Sequence, residues 1–126
     1  MNIIPLHRSV TTRTLFIARE TKYVRVSGGP AIYLAPGSPL RAVVRSLADL
    51  HRERPLGGLS VEELFDAAWP GKILGPHVSA GRVYHAICKL RRMGLGQVLS
   101  RADAGYRLDP RCCVIEESPV VSRIAS

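Results

Sequence analysis

"KLRRMGLGQVLSRADAGYRL", residues 89–108, carries a helix end, a glycine break and a hairpin in one short run. Lys89, Arg91 and Arg92 crowd together at the close of a helix-like segment, and Gly94 and Gly96 interrupt it. Val98 to Leu108 then reads as a hairpin that turns around residues 101–105 and closes on Gly105-Tyr106-Arg107-Leu108. Positive charge gathered where a helix hands over to a hairpin asks for a physical reason, and the surrounding chain supplies one.

Working upstream, the periodicity predicts a helix over about 79–93. On a 100° wheel Val83, Ala86, Ile87 and Leu90 fall in one arc about 100° wide, while Arg82, His85, Lys89 and Arg92 fill an arc of about 80° on the far side. Solvated helix faces usually mix signs, and this one has no acid. Before it, Ser60-Val61-Glu62-Glu63 is a capping box that opens a helix over about 61–69, with Val61, Leu64, Phe65 and Ala68 inward and Trp69 at its end. Ser38-Pro39 opens an earlier helix, about 39–52, with serine as cap and proline in the first turn. Its stripe is Leu40, Val43, Val44, Leu47 and Leu50. Residues 13–34 alternate as strands do, placing Leu15, Ile17, Val24, Val26, Ile32 and Leu34 on one face around a turn at Ser27-Gly28-Gly29-Pro30.

The predicted architecture is therefore α+β: a small N-terminal antiparallel sheet of two to four strands, three helices, and a C-terminal β-hairpin wing at about 97–108. That order is a winged helix-turn-helix. Residues 1–12 form an N-terminal arm, 13–110 the domain, and 111–126 a C-terminal tail without strong period. In such folds the third helix enters the DNA major groove and the hairpin reaches the flanking backbone.

Composition agrees. The chain has 126 residues, enough for one core, with 46% hydrophobic residues and no repeat or low-complexity tract. Its net charge of +8 favours a polyanionic partner. The charge is segregated: residues 1–30 carry +4, 31–81 are neutral, 82–111 carry +5 and 112–126 carry −1. Arginine supplies 15 of the 18 basic residues; codon bias explains that ratio as well as phosphate recognition does, so the distribution carries more weight.

The first residues lack the apolar run of a signal peptide, and no stretch is long and apolar enough to span a membrane. Cys88, Cys112 and Cys113 make a poor disulfide framework, which points to a reducing, cytoplasmic setting. His85 and Cys88, even with His77, lack a second ligand pair of standard spacing; they read as a helix-face histidine and a buried thiol, and no metal or other cofactor is expected. Gly94-Leu95-Gly96 follows a helix, so it is a helix stop and not a phosphate loop. Trp69 and Tyr106 read as core aromatics. No nucleophile–base pair or carboxylate dyad has a recognisable context, and the chain is not expected to be an enzyme.

Leu59 to Leu108 also resembles the DNA-binding domain of OmpR/PhoB-type transcriptional regulators. "SVEELFDAAWPG" is similar to that family's second helix, which typically ends in Trp followed by Gly. "HVSAGRVYHAICKLRRMG" is similar to its recognition helix, with Val83, Ile87, Leu90 and Arg91 matching the V-x-x-x-I-x-x-L-R core, and "AGYRL" matches the G-Y-x-L that ends the wing. The chain departs from the pattern in two places. Gly81 stands where a charged residue is usual, and the wing turn reads Ala102-Asp103-Ala104-Gly105 in place of R-G-x-G. Asp103 is unfavourable at the tip of a phosphate-facing hairpin. No phospho-acceptor receiver domain is seen in this sequence.

The resemblance and the charge pattern together imply a bacterial, nucleoid-associated, sequence-specific regulator of transcription that binds double-stranded DNA. Arg82 and His85, toward the start of the third helix, are the expected base readers. Lys89, Arg91, Arg92, Arg101 and Arg107 are the expected phosphate contacts. Further partners compatible with this reading are RNA polymerase, a separate regulatory protein and a second copy of the chain. The alternative is a winged-helix protein-interaction module that docks an acidic partner or the transcription machinery. An RNA-binding domain is a third reading, against which stands the lack of a recognisable aromatic stacking platform in the sequence.

Overall fold

A computed structural model describes residues 13–117. The arm at 1–12 and the last part of the tail, 118–126, lie outside the described residues. β1 (Thr14–Ile17) and β2 (Tyr23–Val26) pair antiparallel with Leu15 opposite Val26 and Ile17 opposite Val24, and β3 (Ile32–Tyr33) adds to β2. The predicted inner face is the real one: Leu15, Ile17, Val24, Ile32 and Leu34 are buried and Val26 packs against them. Gly28, at φ 78°, turns the chain between β2 and β3.

α1 (Pro39–Glu53) is capped by Ser38, whose Oγ accepts from the Arg41 amide at 3.2 Å, with Pro39 in the first turn. Val43, Val44, Leu47 and Leu50 of the predicted stripe are buried and Leu40 packs at its margin. β4 (Leu59–Ser60) leads directly into α2 (Val61–Ala68), where the reciprocal capping box is complete: Glu63 N to Ser60 Oγ at 3.0 Å and Ser60 N to Glu63 Oε1 at 2.8 Å.

α3 spans Pro76–Leu90 and passes into a wider π turn over Arg91–Leu95, which Gly94 ends at φ 135°. It buries Val83, Ala86, Ile87 and Leu90 as the wheel predicts. It begins three residues before the predicted start, because Gly75 caps it and Pro76 occupies the first turn; the Gly-Pro pair is the sequence signal for that boundary.

The wing is β5 (Leu99–Ala102) and β6 (Gly105–Leu108), joined to β4 in the order β4-β6-β5. Gly105 is required there: a Cβ would collide with the Leu59 carbonyl of β4. β7 (Cys113–Glu116) lies in the segment read as a tail and runs parallel to β1, completing a sheet of order β3-β2-β1-β7. The N-terminal sheet is thus mixed. Glu116 faces α1 from β7 and bonds both Arg45 and Arg52.

Candidate nucleic-acid interface

Between Asp66 and Asp103 the chain has no aspartate or glutamate, and α3 runs through the middle of that acid-free stretch. Its outward side chains include Arg82, His85 and Lys89, and Arg92 follows in the π turn, all exposed. The basic side chains differ in whether a carboxylate holds them. Arg19, Arg45, Arg52 and Arg111 are ion-paired to carboxylates. Arg82, Lys89, Arg91, Arg92, Arg101 and Arg107 form no salt bridge among the described residues. The paired set ties β7 to α1, joins the turn after β1 to Glu117 or caps the turn after β6; outside α3 and the wing, Arg13, Arg25, Arg41 and Arg54 also form no salt bridge.

Arg82 is positioned by an aromatic. Its Cζ lies 5.8 Å from the centroid of Trp69, whose ring stacks on Phe65 at 5.3 Å. Trp69 is half-buried, packing against the core while presenting the ring to Arg82. A guanidinium over an indole face keeps its five N–H groups for another acceptor, since the ring attracts the cation without consuming a hydrogen bond. The earlier start of α3 puts Arg82 in the second turn, with Val78 one turn before it on the same stripe.

The helix end and the wing meet at Tyr106. Arg91 lies 5.9 Å and Arg101 5.3 Å from the centroid of that buried ring. One tyrosine therefore gathers a cation from the π turn after α3 and a cation from β5, which accounts for charge concentrated at a helix–hairpin junction. Lys89 projects from the last turn of α3, and Arg92 reaches back so that Nη1 donates to Cys88 Sγ at 3.3 Å. Cys88 is exposed and not a buried thiol, because its position points away from the Val83–Leu90 side of the helix.

Arg107 is set apart. Its Nη1 donates to the Leu56 carbonyl at 3.0 Å and its Nε is buried without a partner, so much of this guanidinium is committed to the loop before β4. The wing tip carries the exposed Asp103. Two exposed side chains on α3 had no reading in the sequence, Val78 and Tyr84, each 52% exposed. Val78 was hidden by the misplaced helix start, and Tyr84 by its place beside the apolar arc.

Among the described residues no three His, Cys, Asp or Glu side chains cluster as a metal would require, and no helix is long and apolar enough to cross a membrane. Cys112 is buried, and burial pushes its thiol up to about 11.

No protein-family model matches the chain, and no curated protein matches it. Among solved structures it is similar to the DNA-binding domain of the response regulator AdeR, crystallised in complex with an intercistronic region. The two share 22% identity at a TM-score of 0.54, over 75% of this chain and 93% of that one. Together with the order of its elements, that likeness identifies the fold of this chain as the α+β winged helix-turn-helix of that domain.

Proposed function

We propose that the protein is a sequence-specific double-stranded DNA-binding regulator of transcription, acting at the nucleoid with α3 in the major groove. The observation that carries this reading is the acid-free outer face of α3, whose cations form no salt bridge within the described residues. An exposed cation row without counter-charge is repelled by itself and relieved by a polyanion. The AdeR domain, of the same fold, was solved with DNA.

Arg82 and His85 are the base readers in this account. Arg82 suits the O6/N7 edge of guanine, with Trp69 holding its plane. Lys89 and Arg92, further along the same face, meet phosphates, as do Arg91 and Arg101 at Tyr106. Arg107 contributes least, through whatever its bond to Leu56 leaves open. Selection of bound duplexes from a random pool at fixed salt tests the proposal. Recovery of a motif supports it, and a pool that stays random contradicts sequence-specific reading.

A second reading, docking of a protein partner, is favoured by Ile73. This side chain is 94% exposed in the loop between α2 and α3, beside a groove formed with Phe65 and Leu74 and edged by Glu62, Asp66 and Lys72. An exposed isoleucine next to an apolar groove with charged margins fits a protein partner such as RNA polymerase or a separate regulatory protein. The groove reaches Pro76, Ser79 and Ala80 at the start of α3, so a partner there would adjoin a duplex on that helix.

A further inference from the structure

The second positive end of the sequence is left unused by α3. Residues 13–34 hold Arg13, Arg19, Lys22 and Arg25 against Glu20 alone, and they fold into the N-terminal sheet. The inner face of that sheet packs on α1. Its outer face carries a file of rings: Tyr33 on β3, Tyr23 opposite it on β2, and Phe16 on β1, followed across the sheet by Ile115 on β7. Ring centroids are 5.2 Å apart for Tyr23 and Tyr33 and 6.2 Å for Phe16 and Tyr23. Arg25 stands over Phe16 with Cζ 5.7 Å from the centroid. Tyr33 is 69% and Ile115 49% exposed.

We propose that this outer sheet face is a second nucleic-acid surface, which takes single-stranded DNA with bases stacked on Tyr33 and Tyr23 and a phosphate on Arg25, whose guanidinium covers Phe16. Large apolar rings on a solvated sheet face are costly to leave uncovered, and this file, assembled across three strands, is a stacking platform that the sequence did not show, with π-faces that unpaired bases can meet. No outward position of the four strands carries a carboxylate. The acids of the adjoining edge are engaged elsewhere, Glu116 with Arg45 and Arg52 and Glu117 with Arg19. The electrostatic complement of this face is thus an anion, and the anion that also brings stacking surfaces is a nucleic-acid strand. The commitment to DNA rests on the proposed duplex-DNA reading of α3, and the RNA arm of the test below separates the two. The surface is separate from α3, so a duplex on α3 and a single strand on the sheet are held by different residues.

The test is fluorescence anisotropy with a labelled oligo(dT) about a dozen nucleotides long. Tyr33→Ala should weaken binding about tenfold, consistent with the loss of one stacked base. Tyr33→Phe, which keeps the ring, should bind like the parent protein. Arg25→Ala should weaken binding and flatten its salt dependence, and Arg82→Ala should leave it unchanged. Because Tyr33 is so exposed, unchanged melting of Tyr33→Ala verifies that the fold survives. The proposal is overturned if the parent protein does not bind oligo(dT) at low salt, or if Tyr33→Ala binds as well as the parent. It is equally overturned if Arg82→Ala and not Tyr33→Ala abolishes binding, which would place the strand on α3. Tighter binding to oligo(rU) than to oligo(dT) overturns the assignment to DNA.

Discussion

The guanidinium of Arg82 lies 5.8 Å from the centre of the Trp69 ring, which links the second turn of α3 to the residue that closes α2. The residue that closes α2 thus lies beside the proposed base reader of α3. A guanidinium already held in plane loses little freedom when it meets a base edge, and that is how a forked contact becomes selective.

This geometry separates reading from anchoring. Arg92 is ten residues further along, roughly 15 Å down the axis, where a helix inserted by its leading half rises toward the backbone. Arg82→Ala should lose about 1–3 kcal/mol on the preferred duplex and relax one base position, with little change on a scrambled duplex. Arg92→Ala should weaken both duplexes about equally and reduce the salt slope by roughly one. Titration of both variants on both duplexes checks the assignment; an equal loss for Arg82→Ala on the two would remove it from the base readers.

Leu90 is fully buried at the centre of the apolar side of α3. Leu90→Asp places an unpaired carboxylate in that core and should destabilise the domain by more than about 4 kcal/mol, enough to unfold it. Circular dichroism melting reads this directly, and a cooperative transition near that of the parent would show that the helix register is wrong.

The helices were legible because each is written locally. Ser38-Pro39 and Ser60-Glu63 are caps that work within one turn, and the α3 stripe repeats at the helical period. The start of α3 was missed through a Gly75-Pro76 pair that reads equally well as loop. β7 was illegible for a different reason: Cys113–Glu116 alternates only weakly and owes its strand to pairing with β1 at the far end of the chain. β4, at Leu59–Ser60, is too short to carry a period at all. Of the site, the cation row on α3 was visible from the wheel. The tethers were not, because Arg82 on Trp69, Arg91 and Arg101 on Tyr106, and Arg107 on Leu56 are tertiary contacts.

β7 is tied down by charge, and that sets an acid limb. The Arg45 hydrogen bond holds the Glu116 carboxyl below its ordinary value of 4.5, against the opposing effect of partial burial. A depressed carboxylate stabilises the fold above its unfolded value, and the contribution is lost as pH falls through the lower folded value. Stability should thus decline on acidification from about pH 5 downward, with Glu116→Gln less stable by about 1 kcal/mol or less near neutrality and showing a shallower decline. Urea midpoints over that pH range provide the comparison; parallel curves for the two proteins would mean Glu116 does not couple to folding.

The three thiols should separate kinetically. Cys88 and Cys113 are exposed, whereas Cys112 is buried with its thiol pushed up to about 11. The thiolate is the reactive form, so a disulfide reagent at mildly alkaline pH should label Cys88 and Cys113 quickly and Cys112 only on unfolding. Equal rates for all three would contradict the burial of Cys112 beneath β1 and β7.

The central claim is that unpaired cations of α3 and the wing meet DNA phosphates. Each phosphate neutralised releases counterions, so the salt dependence of duplex binding reports on that contact more directly than affinity does. With roughly 4–6 phosphate contacts, the plot of log affinity against log salt should be linear with a slope of about −4 to −5. Replacing Lys89, Arg91 and Arg92 together by alanine should make that slope shallower by about 2 to 3. A flat response, or a slope that the triple substitution leaves unchanged, would contradict the account.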